Sequence, residues 1–207
     1  NKATKDFDIN VLPVWENYTM GNSDVIVSVV DNGVDIKHED LAANCLTSGH
    51  YNAVDNNSNI TAGSHGTHVA GTIAAVGNNG KGIIGVAGGN AAKGKGGVKI
   101  MSCQIFSGAY AGTVLEEVRA IKYAADNGAV ILQCSWGYIS GAANPYEWTP
   151  QFRTDEEWEA YNVLERKALD YFIHNAGSPD GVIEGGLAIF AGGNESAPAA
   201  SYPGAYP

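Results

Sequence analysis

Four short runs of apolar residues constrain the fold of this chain more than any other feature of its sequence. They span residues 25–31, 98–106, 129–135 and 187–191. None shows the polar–apolar alternation of a half-exposed strand, so we expect strands that are covered on both faces. Helical patterns lie between the runs. This alternation predicts an α/β fold with a mainly parallel sheet flanked by helices on both faces.

Three segments between the strands carry helix signals. Residues 65–76 are rich in small side chains, which suits a buried helix that other backbone approaches closely. Thr113 and Glu116 have capping-box spacing and predict a helix that ends at Gly128. Thr154 and Glu157 repeat that spacing and predict another. The residues expected on the inner faces of these last two helices are Leu115, Val118, Ile121 and Ala125, and Trp158, Tyr161, Leu164, Ala168 and Phe172.

Composition narrows the class of protein. The 207 residues are 44% hydrophobic, enough for one domain, which we assign to residues 1–207. The net charge of −10 argues against a nucleic-acid partner, because phosphate binding needs clustered Lys and Arg. No run of 18 apolar residues predicts a membrane span. The three cysteines form no Cys-x-x-Cys pair, so zinc and redox motifs are not supported. The segment from residue 138 to residue 152 is predicted to be an irregular surface loop.

Polar residues follow three of the predicted strands at their carboxyl ends. Asp31 ends the first strand, residues 135–137 follow the third, and residues 191–194 follow the fourth. His65 opens a predicted helix and can turn its ring toward the same edge. Ligands and catalytic groups collect at the carboxyl ends of parallel strands, so this rim is the candidate site.

Several motifs resemble those of the subtilisin-like serine proteases. Residues 29–35 (VVDNGVD) and 65–72 (HGTHVAGT) resemble the aspartate and histidine motifs of that family. The similarity continues in order through residues 78–87, 134–137, 190–195 and 202–207, and it extends from about Trp15 to the last residue.

The resemblance implies an acyl-transfer site. Asp31 would orient His65, and His65 would act as general base and then general acid. Asn194 would donate its amide to the oxyanion. Taken alone, Asp31 and Asn194 are also compatible with ordinary Asp-Asn-Gly and Gly-Gly-Asn turns. His68 lies three residues after His65, but this spacing lacks the i, i+4 pair and the glutamate of a zinc helix. We therefore expect His68 to be structural, with its ring hydrogen-bonded beside the site.

The resemblance also implies a substrate cleft and a cation site. The walls of the pocket for the residue before the cut would be Ser135, Trp136 and Gly137 on one side and Ala191, Gly192 and Gly193 on the other. An extended peptide would add as a strand along Ala109 and Tyr110. Ca²⁺ would bind the Asp40 carboxylate, the Asn79 side chain and the backbone carbonyls of Lys81 and Ile83.

The family's nucleophile lies in a Gly-Thr-Ser motif, and this sequence contains none. We therefore expect the serine beyond Pro207, in a remaining C-terminal part of the same catalytic domain. The expected partners are that part, a polypeptide substrate and the protein's own cleaved pro-segment, and the expected location is secreted or cell-surface. The alternative is a non-catalytic binding or scaffold protein that keeps the fold.

Overall fold

A computed structural model describes residues 8–141, 150–199 and 201–207. The described strands are β1 (Ile26–Asp31), β2 (Tyr51–Asn52), β3 (Gly89–Asn90), β4 (Lys95–Gly96), β5 (Lys99–Gln104), β6 (Ala129–Cys134) and β7 (Leu187–Phe190). The described α-helices are α1 (Leu12–Asn17), α2 (Ser64–Ala74), α3 (Val114–Asp126), α4 (Asp155–Tyr161) and α5 (Val163–Asn175). Short 3-10 turns cover Ala42–Asn44 and Ala91–Lys93.

The main sheet has the order β2-β5-β1-β6-β7, and all its neighbouring strands are parallel. All six residues of the central strand β1 are buried, as its continuous apolar run predicts. In the register of the sheet, Asp31 lies beside Gln104, and Cys134 lies beside Phe190. The carboxyl ends of β1, β6 and β7 therefore lie at the same edge of the sheet.

Helices cover both faces of this sheet. On one face, α2 packs over β1 and β5, with Val29, Ala70 and Ile100 in the buried cluster between them. On the other face, α3 packs over β1, β5 and β6, and α5 packs against α3 and β7. The core on this second side contains Ile121, Leu132 and Phe172. The prediction of a mainly parallel α/β sheet with helices on both faces is confirmed.

The helix predicted to open at Thr154 is in fact two helices. Helix α4 ends before Asn162, and α5 begins after it. Asn162 is buried and its Oδ1 accepts a hydrogen bond from the Tyr138 hydroxyl at 3.3 Å, which fixes the junction. Because the axis breaks there, Tyr161 and Leu164 are exposed and the prediction that they face inward was wrong.

A second inward assignment was also wrong. Leu115 lies in the first turn of α3 and is exposed. Within the segment 138–152, residues 142–149 lie outside the described residues. Phe152 ends that segment. It packs against the core on the α3 side and does not extend into solvent as a surface loop would.

Candidate active site

Asp31 and His65 meet at the carboxyl edge of the sheet. The His65 Nδ1 atom lies 2.8 Å from Oδ1 and 2.9 Å from Oδ2 of Asp31. Asp31 ends β1 with only 2% of its side chain exposed, whereas 57% of the His65 side chain is exposed. A carboxylate that only accepts hydrogen bonds requires the proton of the neutral imidazole to sit on Nδ1. The other ring nitrogen, Nε2, has no hydrogen-bond partner among the described residues.

The backbone around Asn32 holds this pair in place. The Asn32 amide donates from its backbone N to Asp31 Oδ1 at 2.7 Å, and its side-chain Oδ1 accepts from the Gly66 N–H at 2.8 Å. The start of α2 therefore rests on the end of β1. A Cβ added to Gly66 would lie 2.6 Å from the Gly33 carbonyl oxygen, so only glycine permits this approach. The role of Asn32 was not predicted from the sequence, although its place in Asp-Asn-Gly was the available signal.

Trp136 is held firmly in the first predicted wall. Its ring makes edge-on contacts with Phe106 and Phe190, with centroid distances of 6.3 and 5.4 Å. Its indole Nε1–H donates to the Val30 carbonyl at 2.9 Å, one residue before Asp31. Ser135 accepts a hydrogen bond from Gln133 at 3.1 Å, and Gly137 is exposed. Trp136 thus couples this segment to β1 and β7.

The second predicted wall follows β7. The Ala191 N–H donates to the Cys134 carbonyl at 3.0 Å, which keeps the segment beside the end of β6. Gly192 has open space around it, and Gly193 has a φ of 93°, a backbone conformation that favours glycine. Asn194 is exposed, and its backbone N–H donates to Glu195 Oε2 at 2.9 Å.

Ala109 and Tyr110 lie in a tight turn before α3. The backbone N–H and C=O of Tyr110 both bond to Ser107, at 2.8 and 3.1 Å. In this arrangement those two groups are engaged within the turn. Both residues are exposed, and the Tyr110 hydroxyl lies 3.3 Å from Glu116 Oε2.

Comparisons with known proteins identify the family of this chain. Residues 22–207 match the family described as the Subtilase family of peptidases. The chain belongs to the subtilase family. Fervidolysin from Fervidobacterium pennivorans is 34% identical over 207 residues, which cover 94% of this chain and 24% of that protein. The crystal structure of fervidolysin, a keratinolytic enzyme related to subtilisin, superposes with a TM-score of 0.58 at 28% identity, covering 94% of this chain and 25% of the other.

Two further relatives match a little over half of this subtilase chain. Thermitase from Thermoactinomyces vulgaris is 37% identical over 116 residues, which cover 56% of this chain and 38% of that protein. The cell wall-associated protease of Bacillus subtilis is 37% identical over 116 residues, which cover 56% of this chain and 12% of that protein. The chain thus spans between 12% and 38% of the length of these three curated relatives.

In this subtilase chain, the residues predicted to bind Ca²⁺ surround one buried carboxylate. Asp40 Oδ1 accepts from Asn79 Nδ2 at 2.6 Å, and its Oδ2 accepts from the Ile83 N–H at 3.0 Å. The Lys81 N–H donates to Asn79 Oδ1 at 2.9 Å, while the Lys81 ammonium pairs with Glu39, also at 2.9 Å. No cationic side chain among the described residues pairs with Asp40. A buried carboxylate without a cation fits an oxygen-binding ion, although the amide nitrogen of Asn79 faces it here.

Other predicted features are less tightly placed. His68 is exposed, and its ring makes no hydrogen bond within the described part of the chain, so the expected structural contact is absent there. The described residues contain no group of three or more His, Cys, Asp or Glu side chains arranged to hold a metal ion. In the same residues, no helix has the length and apolar character that crossing a membrane requires.

All three cysteines are free and buried. Burial raises the pKa of Cys45 to about 11 and that of Cys103 to about 12. Burial also raises the pKa of Cys134 well above its ordinary value. A thiol reacts as the thiolate, so none of the three fits a nucleophile.

Proposed function

We propose that this chain is the N-terminal part of the catalytic domain of a serine endopeptidase. The proposal rests on one observation above all, the pairing of a buried Asp31 with an exposed His65 at 2.8 Å. Membership of the subtilase family supports it, because the related proteins include proteases. The proposal treats residues 1–207 as one domain whose remaining part, with the nucleophilic serine, follows Pro207.

In the proposed mechanism, His65 moves the protons. Its Nε2 accepts the proton of the serine hydroxyl as the serine oxygen bonds to the peptide carbonyl carbon. Asp31 stabilises the imidazolium that results, since its carboxylate already accepts from Nδ1. Nε2 then gives the proton to the leaving amine as the C–N bond breaks. Water releases the acyl group by the same proton path in reverse.

Asn194 is proposed as the oxyanion donor. Its side-chain amide is a hydrogen-bond donor with no partner among the described residues, and it follows β7 on the rim that carries Asp31. A donor that is already oriented toward the developing charge stabilises the transition state more than the substrate.

The substrate is proposed to be an extended polypeptide. Residues 135–137 and 191–193 would flank the side chain before the cut, with Trp136 limiting the width of that pocket because aromatic contacts hold it on two sides. Ala109 and Tyr110 would line the remaining peptide. The turn at Ser107 would have to open before the Tyr110 backbone could pair with a substrate strand.

We also propose Ca²⁺ near Asp40, with the four oxygen groups named above as ligands. The ion would contribute loop stability and no chemistry to the proton transfers. Secretion or cell-surface location and a cleaved pro-segment are proposed by analogy with relatives such as the cell wall-associated protease.

Labelling by a serine-directed phosphonate tests the proposal. The full-length protein should become covalently labelled at one serine beyond Pro207, located by mass spectrometry. The variant His65→Ala should lose the label, while the matched control His68→Ala should keep it. A folded full-length protein that takes no label would favour a non-catalytic binding or scaffold role, which the same fold could serve without a nucleophile.

A further inference from the structure

Two glutamates face each other in the core between α3 and α5. Glu117 is 8% exposed and Glu165 is fully buried. Their carboxyl groups lie close enough for a hydrogen bond between them when one is protonated. No Lys, Arg or His among the described residues forms an ion pair with either one. Two charged carboxylates in contact without a cation would be strongly unfavourable in the interior.

The hydrogen bonding of this pair is incomplete if both groups are charged. Glu165 Oε2 accepts from the Tyr138 hydroxyl at 3.0 Å. Two further oxygens, Glu165 Oε1 and Glu117 Oε2, are buried and form no hydrogen bond within the described residues, and the indole N–H of the neighbouring Trp158 is unpaired as well. One proton placed on Glu117 would donate to Glu165 and provide the donor that these atoms lack.

The same pair is linked to a predicted substrate wall through Tyr138. This residue directly follows Gly137, the last residue of the first wall. Its hydroxyl contacts Glu165 and, at 3.3 Å, Asn162, and its backbone N–H donates to the Tyr202 carbonyl at 2.8 Å. The orientation of Tyr138 therefore depends on the charge and position of Glu165.

We propose that Glu117 and Glu165 share a single proton, and that this pair positions residues 135–137 for substrate through Tyr138. The second half rests on the proposed peptidase function, whereas the first half does not. Both glutamates are positioning residues, because neither lies among the groups proposed to touch the substrate.

The surroundings of the pair favour the protonated form. Burial, followed by the charge of Glu165, raises the pKa of Glu117 to about 8. Burial also raises the pKa of Glu165, to about 7, against the opposing effect of the Tyr138 hydroxyl, so the pair holds a single proton between about pH 7 and pH 8. The other titratable groups that face the pair are Glu116 from α3, whose charge acts in the same direction, and the Cys134 thiol from β6. The indole of Trp158, from α4, also lies beside Glu165.

These shifts give a definite sign to the pH dependence. The unfolded chain releases the proton near the ordinary pKa of 4.5, whereas the folded chain keeps it up to about pH 8. Between these values the folded state binds more protons, so stability falls as pH rises. The stabilisation is complete below pH 4.5 and lost above about pH 8.

Infrared spectroscopy and unfolding of the full-length protein test the shared proton. At pH 7.5 we expect the carbonyl band of one protonated carboxyl group, absent in Glu117→Gln and kept in Glu184→Gln, which removes an exposed carboxylate. Between pH 5 and 9, Tm should decline less steeply in Glu117→Gln than in the parent, because the Gln amide can donate a hydrogen bond without titrating. The difference in the pH dependence of unfolding should correspond to at most one proton. No protonated band in the unmodified protein would overturn the proposal, even if Glu117→Gln did not fold.

Kinetics test the positioning role separately. KM for a peptide substrate should rise between pH 7 and 9, with kcat changing less, and Glu117→Gln should suppress that rise. Tyr138→Phe cuts the link, so it should keep the infrared band and lose the pH dependence of KM. If KM does not change with pH although the unfolding does, the positioning role is wrong. If the protein takes no phosphonate label at all, the peptidase proposal fails and the shared proton still stands on the spectroscopic result.

Discussion

The Asp31–His65 pair and the Glu117–Glu165 pair differ in their exposure to solvent. Asp31 and His65 lie at the rim of the sheet, where one partner is buried and 57% of the other side chain is exposed. Glu117 and Glu165 lie between two helices, where both are buried. The first pair can exchange a proton with a bound molecule. The second can exchange one only if the helix interface opens.

This difference separates two uses of a buried carboxylate. The Asp31 carboxylate accepts from the Asn32 N–H and from a ring that can become a cation, so its charge has two partners. Glu117 has no such partner, so its own protonation must change. We therefore expect substitutions at the rim to alter turnover and substitutions at the helix interface to alter stability and its pH dependence.

The largest expected effect is that of His65→Ala on the proposed activity of the full-length protein. Loss of the proton acceptor should lower kcat/KM by about 10⁴-fold or more. The side chain is exposed, so Tm should stay within roughly 3 °C of the parent value. Peptide hydrolysis and thermal unfolding measure the two quantities, with His68→Ala as the control. Collapse of the fold in His65→Ala would make the imidazole structural and remove the contrast between the two pairs.

Asn194→Ala should have the next largest effect. Removing one oxyanion donor typically lowers kcat by about 10²–10³-fold, and KM should change little because the donor acts mainly in the transition state. Steady-state kinetics separate the two parameters. Asn175→Ala is the matched control, since that amide is exposed and bonds only to the Tyr171 carbonyl at the end of α5. An unchanged kcat in Asn194→Ala would leave Asn194 as a turn residue.

The rim was predictable from sequence because motif and topology agree there. Asp31 ends an apolar run, His65 opens a small-residue helix, and parallel strands bring their ends to one edge. The 2.8 Å contact between them follows from that arrangement. Asn32 was harder to see, because its amide acts on the backbone of Gly66, which lies 34 residues away.

The helix interface was not predicted, although its signal was present. Glu117 is spaced with Ile121 and Ala124 on the buried face of α3, and Glu165 with Ala168 and Phe172 on that of α5. A charged residue within the apolar face of a helix is easily assumed to lie at the exposed boundary of that face. The break at Asn162 had no periodic signal, since it depends on a hydrogen bond from Tyr138 in another segment.

The proposed Ca²⁺ at Asp40 would be a third way to bury a carboxylate, by pairing it with a cation. If Ca²⁺ binds there at about 100 times its Kd, it adds about 2.7 kcal/mol, so a chelator should lower Tm by roughly 5–10 °C. Asp40→Asn should not respond to the chelator, whereas Asp24→Asn, which changes an exposed carboxylate, should respond like the parent. If chelator leaves the parent Tm unchanged, the Asn79 and Ile83 N–H groups are sufficient partners for Asp40.

The smallest expected effect concerns the start of α3, the helix that carries Glu117. Thr113 Oγ accepts from the Leu115 N–H at 3.3 Å, and Glu116 Oε2 accepts from the Thr113 N–H at 2.8 Å and from its hydroxyl. Thr113→Ala should cost about 1 kcal/mol and lower Tm by roughly 2–4 °C at pH 7. Thr154→Ala, which removes the cap of α4, should cost a similar amount.

The pH dependence of that cost distinguishes the cap from the buried pair. The Thr113 hydroxyl lowers the pKa of Glu116, so the stability it adds is present above the ordinary value of 4.5 and lost as pH falls through the lowered pKa. The Tm difference between parent and Thr113→Ala should therefore narrow in acid and stay constant from pH 6 to 9. The Tm difference between parent and Glu117→Gln should instead change between pH 6 and 9. A Thr113→Ala difference that changed between pH 6 and 9 would mean that the cap and the shared proton form one unit, because the charge of Glu116 reaches both.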